Sequence, residues 1–189
     1  MLVRLFVAIR LPEAVVNGLE HVRDRLGEFD GILRYPDVTG FHLTLAFLGE
    51  LPEGGDEMVE SGLRSACAGF GSFALALGAG GSFPEGGEAR VIWLRVEGEV
   101  RRVSQLQKIV VKELGDLGLR LDKRPFSPHV TIARVARKVG EEDRRRVAEV
   151  AAEIDGYDTG SFRVTDISVM ASDLQPTGAV YTPIAEIPL

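Results

Sequence analysis

The chain has 189 residues, with 22 Lys and Arg against 28 Asp and Glu and a formal net charge of −6. A chain of this length can bury a hydrophobic core without disulfide bonds or structural metals. Its 45% hydrophobic and 26% charged residues are typical of a globular protein, which excludes disorder for the body of the chain. No apolar run approaches the ~18 residues of a membrane helix, and the single cysteine excludes a disulfide framework, so we expect a cytoplasmic protein.

The hydrophobic pattern predicts strands and helices along the whole chain. Apolar runs rich in β-branched residues indicate strands, and apolar residues three or four positions apart indicate helices. The predicted strands cover residues 2–9, 42–48, 73–77, 91–96, 129–134, 162–164, 167–171 and 179–187. The predicted helices cover residues 12–26, 56–68, 100–117 and 141–154. The glycine-rich segment 78–87 is predicted to be a loop, and 176–178 a turn.

An internal repeat is visible in this order of elements. Strand, helix, strand, helix occurs twice, and 36 residues separate both Phe6 from His42 and Trp93 from His129. The two halves are therefore offset by 87 residues. Repeated supersecondary units indicate duplication, so we expect two lobes related by a pseudo-twofold axis that face each other across a cleft.

Two of the three histidines lie in matching His-x-Thr-x motifs within predicted strands. The motifs are HLTL at 42–45 and HVTI at 129–132. Because strand side chains alternate between faces, each histidine shares a face with the threonine two positions later, and the aliphatic residues point the other way. The residues expected to face the cleft are His42, Thr44, His129 and Thr131.

This constellation favours proton transfer at a phosphate. Histidine has an unperturbed pKa near ~6.5, so one imidazole can serve as acid and the other as base on opposite sides of one phosphorus. The two threonine hydroxyls can donate to non-bridging oxygens, so the reaction requires no metal and no cofactor. A zinc site is the alternative use of two histidines, but no third ligand follows at a usual spacing.

A basic segment lies within the acidic chain. Residues 101–146 hold 13 Lys or Arg against 6 Asp or Glu. Such a segment suggests a phosphate-bearing ligand. The alternative is that the run Arg144, Arg145 and Arg146 is only the solvated face of a helix.

The segments FHLTLAFLGE and RPFSPHVTIAR, whose histidines are 87 residues apart, resemble the two motifs of the two-histidine (2H) phosphoesterase superfamily. Within it, the sequence is most similar to the RNA 2′,3′-cyclic phosphodiesterases, also called 2′-5′ RNA ligases. The opening MLVRLFVAIRLPE and the tail ASDLQPTGAVYTPIAEIPL also resemble that family, so the similarity extends over essentially the whole chain. The resemblance implies an α+β, bilobal duplicated fold over residues 1–189, with two antiparallel-rich sheets lining a central cleft and helices outside.

The resemblance also implies an activity. It is the metal-independent hydrolysis of RNA 2′,3′-cyclic phosphate ends to 2′-phosphates, together with reversible, ATP-independent 2′-5′ joining of RNA ends. The implied partners are RNA ends or nucleotides such as tRNA halves, with no membrane, and the implied state is a monomer. The implied roles are proton donor for His42, proton acceptor for His129, and phosphate binding for Thr44, Thr131 and Arg134.

Three positions qualify the resemblance. Strict alternation places Arg134 on the face opposite His129, so it can contact phosphate only if the strand twists, bulges or ends there. Many relatives carry lysine where this chain has Ala46, which removes one expected phosphate or backbone contact. Relatives often carry tryptophan at Tyr35, where stacking on a base and simple packing are both open.

Two other functions remain compatible with the sequence. One is a non-catalytic RNA-end or nucleotide-binding module that uses the basic segment as a clamp. The other is a 2H phosphodiesterase for another cyclic phosphate or for a 2′-5′ linked oligonucleotide. Turnover of a 2′,3′-cyclic mononucleotide separates a binding module from an enzyme.

Overall fold

The computed structural model describes residues 2–37, 40–122, 124–175 and 178–189. The strands are β1 (Val3–Arg10), β2 (Leu33–Arg34), β3 (His42–Leu51), β4 (Phe73–Phe83), β5 (Val91–Gly98), β6 (His129–Val135), β7 (Ser161–Val164), β8 (Asp166–Gln175) and β9 (Gly178–Pro188). The helices are α1 (Glu13–Asn17), α2 (Glu20–Arg25), α3 (Gly55–Cys67), α4 (Val100–Asp116) and α5 (Glu141–Ala152).

All the strands belong to one sheet with antiparallel pairing. Its order is β7-β4-β5-β6-β3-β1-β8-β9, and β2 pairs with the end of β6. The predicted α+β class and antiparallel pairing are confirmed. In place of two separate sheets there is one continuous sheet, because β3 and β6, which carry the histidine motifs, pair directly through Leu43 and Val130.

The helices cover one face of this sheet with the apolar residues that the sequence predicts. On α4, residues at spacings of three or four are fully buried: Val103, Leu106, Val110 and Leu114. They share one core with the aliphatic residues of β3 and β6, including Leu43, Leu45, Val130 and Ile132. The opposite face of β3 and β6 therefore carries the histidines and threonines. Among the described helices, none is long and apolar enough to cross a membrane.

The predicted glycine loop is wrong over residues 78–83, because β4 continues to Phe83. A Cβ on Gly81 would lie 2.5 Å from the Trp93 ring, and one on Gly80 would lie 2.4 Å from the Ala151 carbonyl oxygen. The glycines thus allow neighbouring groups to approach the strand, as glycine often does within a sheet. A register shift between Leu77 and Gly80 accompanies them.

Two other elements differ from the predictions. The first helix is divided into α1 and α2 near Gly18, where an added Cβ would lie 2.7 Å from the Thr159 Cα atom. Strand β2 was not predicted, since two residues are too few for a periodic pattern. Of the predicted turn at 176–178, residues 176 and 177 lie outside the described residues, and Gly178 begins β9.

Candidate active site

The two His-x-Thr-x motifs meet where β3 pairs with β6. Leu43 is the partner of Val130, and the same antiparallel register sets His42 opposite Thr131 and Thr44 opposite His129. Opposed side chains in such a pair share a face. We call the face carrying these two histidines and two threonines the site face. The structure thus brings together all four motif residues that the sequence places in the site.

A bulge in β6 adds Arg134 to the site face. Thr131 is opposite Trp93, whereas Ala133 is opposite Ile92, so β6 contains one extra residue at this point. Beyond it the alternation shifts: Ala133 is buried and Arg134 is exposed. One extra residue exchanges the two faces of a strand. This is the condition under which the sequence allowed Arg134 to contact phosphate.

The same bulge occurs in β3. Ala8 is opposite Thr44 and Val7 is opposite Ala46, so the extra residue again follows the motif threonine. Ala46 is buried, and the next residue, Phe47, is 55% exposed on the site face. Phe47 therefore occupies in β3 the position that Arg134 occupies in β6. The two bulges are thus offset by the same 87 residues as the two motifs, although the two strands carry different side chains there.

Each site histidine is oriented by a backbone carbonyl two residues before it. His42 Nδ1 lies 2.6 Å from the Gly40 oxygen, and His129 Nδ1 lies 2.7 Å from the Ser127 oxygen. A carbonyl can only accept, so Nδ1 carries the hydrogen in both rings. This tautomer leaves Nε2 of each imidazole available for proton transfer.

Aromatic rings flank both imidazoles, and this part of the site was missed in the sequence. The ring-centroid distances are 4.8 Å for Phe6–His42, 5.0 Å for Tyr181–His42, 5.1 Å for Phe83–His129 and 6.3 Å for Trp93–His129. In the sequence, Phe6 precedes His42 and Trp93 precedes His129 by the same 36 residues, and this equal spacing was a signal that aromatic rings accompany the histidines. In the observed register, however, Trp93 corresponds to Ala8, since these two residues oppose Thr131 and Thr44.

The electrostatic environment of His42 favours its neutral form. Burial lowers the pKa of His42 below its usual 6.5, and the hydrogen bond to the Gly40 carbonyl partly opposes this shift. The positive charges of Arg134 and His129 lower the pKa further. Their effect on His42 is a consequence of the register, which gathers the three groups on one face.

The run of three arginines serves other purposes. Arg144 is buried, and its guanidinium donates to backbone carbonyls, among them the Ala89 oxygen at 3.0 Å and the Ala136 oxygen at 2.8 Å. Arg145 and Arg146 form exposed ion pairs, with Glu141 and Glu28 among the partners. The contacts favour a structural interpretation of this run over an RNA clamp.

Tyr35 packs within the fold. Its hydroxyl donates to Asp30 Oδ1 at 3.1 Å, and the Arg23 guanidinium lies 4.7 Å from its ring centre. Burial and the hydrogen bond to Asp30 raise the pKa of Tyr35 to about 12. Of the two uses open at this position, the structure favours packing over base stacking.

The third histidine, His21, is half-buried and bonded to two backbone carbonyls. The ring nitrogens of His21 lie 2.5 Å from the Gly18 oxygen and 2.9 Å from the Asp155 oxygen. It thus joins α2 to the segment after α5. Over the described ranges, no three His, Cys, Asp or Glu side chains are grouped so that they could hold a metal ion.

Comparison with known proteins gives sequence relatives over nearly the whole chain. An RNA 2′,3′-cyclic phosphodiesterase of Methanothermobacter thermautotrophicus is 32% identical over 182 residues, covering 96% of both chains. One of Archaeoglobus fulgidus is 33% identical over 180 residues, covering 94% of this chain and 96% of the relative.

Solved structures agree in fold. The protein TT0787 of Thermus thermophilus matches with a TM-score of 0.80 and 25% identity over 98% of this chain and 97% of that protein. E. coli LigT complexed with 3′-AMP matches with a TM-score of 0.78 and 26% identity over 100% and 99% of the two chains. The family model of the 2′-5′ RNA ligase superfamily matches residues 5–176. With both motifs on one face of the sheet and this match along its length, the chain belongs to the 2′-5′ RNA ligase superfamily.

Proposed function

We propose that this chain is an RNA 2′,3′-cyclic phosphodiesterase that opens a terminal cyclic phosphate to a 2′-phosphate. The observation that carries the proposal is the pair His42 and His129 on adjacent strands, each with Nδ1 bonded to a carbonyl and each diagonal to the other across the Leu43–Val130 pair. The Cα atoms of diagonal neighbours in such a strand pair lie about 7–8 Å apart. This separation leaves room for one phosphate between the two imidazoles.

The reaction requires two proton transfers. Nε2 of His129 accepts a proton from water as the water oxygen bonds to phosphorus. The bond from phosphorus to the 3′ oxygen breaks, and Nε2 of His42 gives its proton to that oxygen. The product keeps the phosphate on the 2′ oxygen. His42 ends neutral and His129 protonated, so exchange with solvent restores the starting forms.

The remaining site residues act on phosphate charge. The hydroxyls of Thr44 and Thr131 donate to the non-bridging oxygens, whose negative charge increases as water attacks. The guanidinium of Arg134 adds a positive charge on the same face. These three groups supply donors and charge in a reaction that uses no metal and no cofactor.

The role of His42 as acid depends on the substrate. In the free protein its lowered pKa keeps the imidazole neutral near pH 7. A bound cyclic phosphate carries a negative charge, and a nearby negative charge raises the pKa of an imidazole. Substrate therefore restores the proton that His42 must give, and offsets the effect of Arg134 and His129.

The same residues support 2′-5′ joining of RNA ends. A 5′-hydroxyl in place of water can lose its proton to His129 and attack the cyclic phosphate. The 3′ oxygen again leaves with the proton of His42, and a 2′-5′ phosphodiester forms. No ATP is required, because one phosphate ester bond is exchanged for another, and the reverse reaction uses the same two histidines.

We also propose the substrates, the oligomeric state and the cellular location of the enzyme. Its substrates are RNA ends or nucleotides with 2′,3′-cyclic phosphates, tRNA halves among them. A monomer suffices, since one chain supplies every residue of the site. We place the activity in the cytoplasm, where a reducing environment suits the buried, free thiol of Cys67.

A panel of substrates tests the function. It comprises 2′,3′-cyclic and 3′,5′-cyclic mononucleotides, a 2′,3′-cyclic dinucleotide, a cyclic phosphate of ADP-ribose and a 2′-5′ linked oligonucleotide, with products identified by phosphorus NMR. We expect turnover of the 2′,3′-cyclic nucleotides with only 2′-phosphate products. Binding without turnover would indicate the binding module, and preference for ADP-ribose or the 2′-5′ oligonucleotide would indicate a different phosphodiesterase.

A further inference from the structure

Two arginines oppose each other at the end of the site face. Arg34 of β2 is the cross-strand partner of Arg134 of β6, and Leu33 is the partner of Val135. Both arginines are exposed, whereas both aliphatic neighbours are buried. Since Arg134 is on the site face, its partner Arg34 is on that face as well.

Neither of these guanidinium groups has a counter-ion within the described part of the chain. Arg34 makes one hydrogen bond, from a guanidinium nitrogen to the Leu33 carbonyl at 3.2 Å. By contrast, Arg10, which opposes His42, is paired with Glu186. Like charges directly opposite each other destabilise a strand pair, so an anion between Arg34 and Arg134 would relieve this repulsion.

The position of Arg34 is fixed by its surroundings. The Ala136 backbone N–H donates to the Ile32 carbonyl at 2.8 Å, which extends the pairing of β2 with β6. Leu33 is 3% exposed and anchors β2 in the core. Tyr35, on the other side of Arg34, is held by Asp30. A short, anchored strand thus presents the Arg34 guanidinium, so little conformational entropy is lost when a ligand binds.

The arginine pair lies beyond the reacting phosphate. Arg134 follows Thr131 by three residues along β6, but because of the bulge the two oppose Val91 and Trp93, which are two residues apart on β5 and span about 7 Å at the usual strand rise of about 3.3 Å per residue. A phosphate held by the histidines and threonines therefore leaves Arg34, which lies beside Arg134 on the neighbouring strand, free to bind a second anion.

We propose that Arg34 binds a second phosphate, the phosphodiester on the 5′ side of the terminal nucleotide of an RNA substrate, and that Arg134, whose guanidinium has five N–H donors, is shared between this phosphate and the reacting one. The inference rests on the proposed function, which places the cyclic phosphate at the histidines. The planar guanidinium matches phosphate oxygens with paired donors. Arg34 is then the residue that distinguishes an RNA end from a free cyclic mononucleotide.

The test compares three substrates that end in the same 2′,3′-cyclic nucleotide: the mononucleotide, its 5′-phosphorylated form and a dinucleotide. We expect Arg34→Gln to lower kcat/KM on the dinucleotide roughly tenfold more than on the mononucleotide. The salt dependence of log KM on the dinucleotide should become shallower by about 0.7, the value for one lost phosphate contact with a single strand. Arg101→Gln, on the outer helix α4, is the matched control for loss of one positive charge.

Two results would overturn the site: equal losses on mononucleotide and dinucleotide in Arg34→Gln, or the same selective loss in Arg101→Gln. A selective loss on the 5′-phosphorylated mononucleotide as well would support a phosphate site. If the wild type turns over no cyclic phosphate, the proposed function is wrong, but the Arg34 site can still be tested separately. Binding of a dinucleotide 2′-phosphate against a mononucleotide 2′-phosphate then tests Arg34, with roughly tenfold selectivity expected in the wild type and lost in Arg34→Gln.

Discussion

Leu43 of β3 pairs with Val130 of β6, and this contact joins the two parts of the sheet that carry the histidine motifs. Each residue immediately follows a site histidine, and each is buried in the core beneath it. The apolar contact that holds the halves together therefore also sets the separation of the two imidazoles. We therefore expect stability and catalysis to be coupled at this point.

Leu43→Ala is expected to lower the free energy of unfolding by roughly 2–5 kcal/mol, the usual cost of removing a buried leucine. It should also lower kcat/KM of the folded fraction, because β3 can shift against β6. Denaturant unfolding and steady-state kinetics measure the two effects. Leu63→Ala on α3, equally buried, should cost comparable stability while kcat/KM stays near wild type. Equal kcat/KM in both variants would show that the Leu43–Val130 contact does not determine the geometry of the site.

The threonine hydroxyls are expected to stabilise charge that develops during the reaction. Thr44→Val and Thr131→Val keep the shape of the side chain but remove the donor, so each should lower kcat/KM roughly 10- to 1000-fold. Thr44→Ser and Thr131→Ser, which keep a hydroxyl, should recover most of the activity. Wild-type kinetics in both valine variants would assign the hydroxyls a structural role.

The pKa of His42 should depend on ligand. In the free protein, burial keeps this pKa below 6.5, and a bound 2′-phosphate product should raise it. NMR titration of the histidine ring protons, with His42→Gln to assign the resonance, measures both values. Titration of His42 at or above 6.5 without ligand would contradict the environment described for it.

The same depressed pKa affects stability. The unfolded chain binds a proton at His42 more readily than the folded protein, so this group's contribution is complete above about pH 6.5 and decreases as pH falls through the folded-state pKa. His42→Gln should therefore flatten the loss of unfolding free energy on the acid side of pH 6.5. Denaturant unfolding of both proteins over that pH range provides the measurement, and parallel pH profiles would contradict the shift.

Activity should survive an excess of EDTA, because in the proposed mechanism imidazoles transfer the protons while the threonine hydroxyls and Arg134 stabilise the phosphate charge. Initial rates on a 2′,3′-cyclic mononucleotide, with His129→Ala as the inactive control, provide the measurement. Loss of turnover in EDTA that a divalent ion restores would instead indicate metal-assisted hydrolysis.

The sequence was most informative where a regular pattern met a repeated motif. Alternation in HLTL and HVTI predicted which side chains enter the core and which reach the site face, and Leu43 and His42 lie on opposite sides of β3 as expected. The buried stripe of α4 likewise follows from its spacing. The alternation in the two strands and the buried stripe of the helix both depend on local periodicity alone.

Features that depend on contacts between distant segments could not be predicted in the same way. The bulge that turns Arg134 onto the site face arises from register against β5. Gly81 looks like part of a loop until the Trp93 ring is seen to occupy the space of its missing side chain. Arg34 was overlooked because β2 is defined only by its pairing with β6.

The proposed mechanism requires His42 and His129 to act on opposite sides of one phosphorus, as acid and base. The most direct measurement compares His42→Ala, His129→Ala and the double variant on a 2′,3′-cyclic nucleotide and on an aryl ester of a nucleotide, whose leaving oxygen needs no proton. On the cyclic substrate each single variant should lose roughly 10²- to 10⁴-fold in kcat, with the double variant little worse. On the aryl ester, His42→Ala should lose far less than His129→Ala. A larger loss for His42→Ala on the aryl ester would reverse the two roles, and near-wild-type activity of either single variant on the cyclic nucleotide would contradict the two-histidine mechanism.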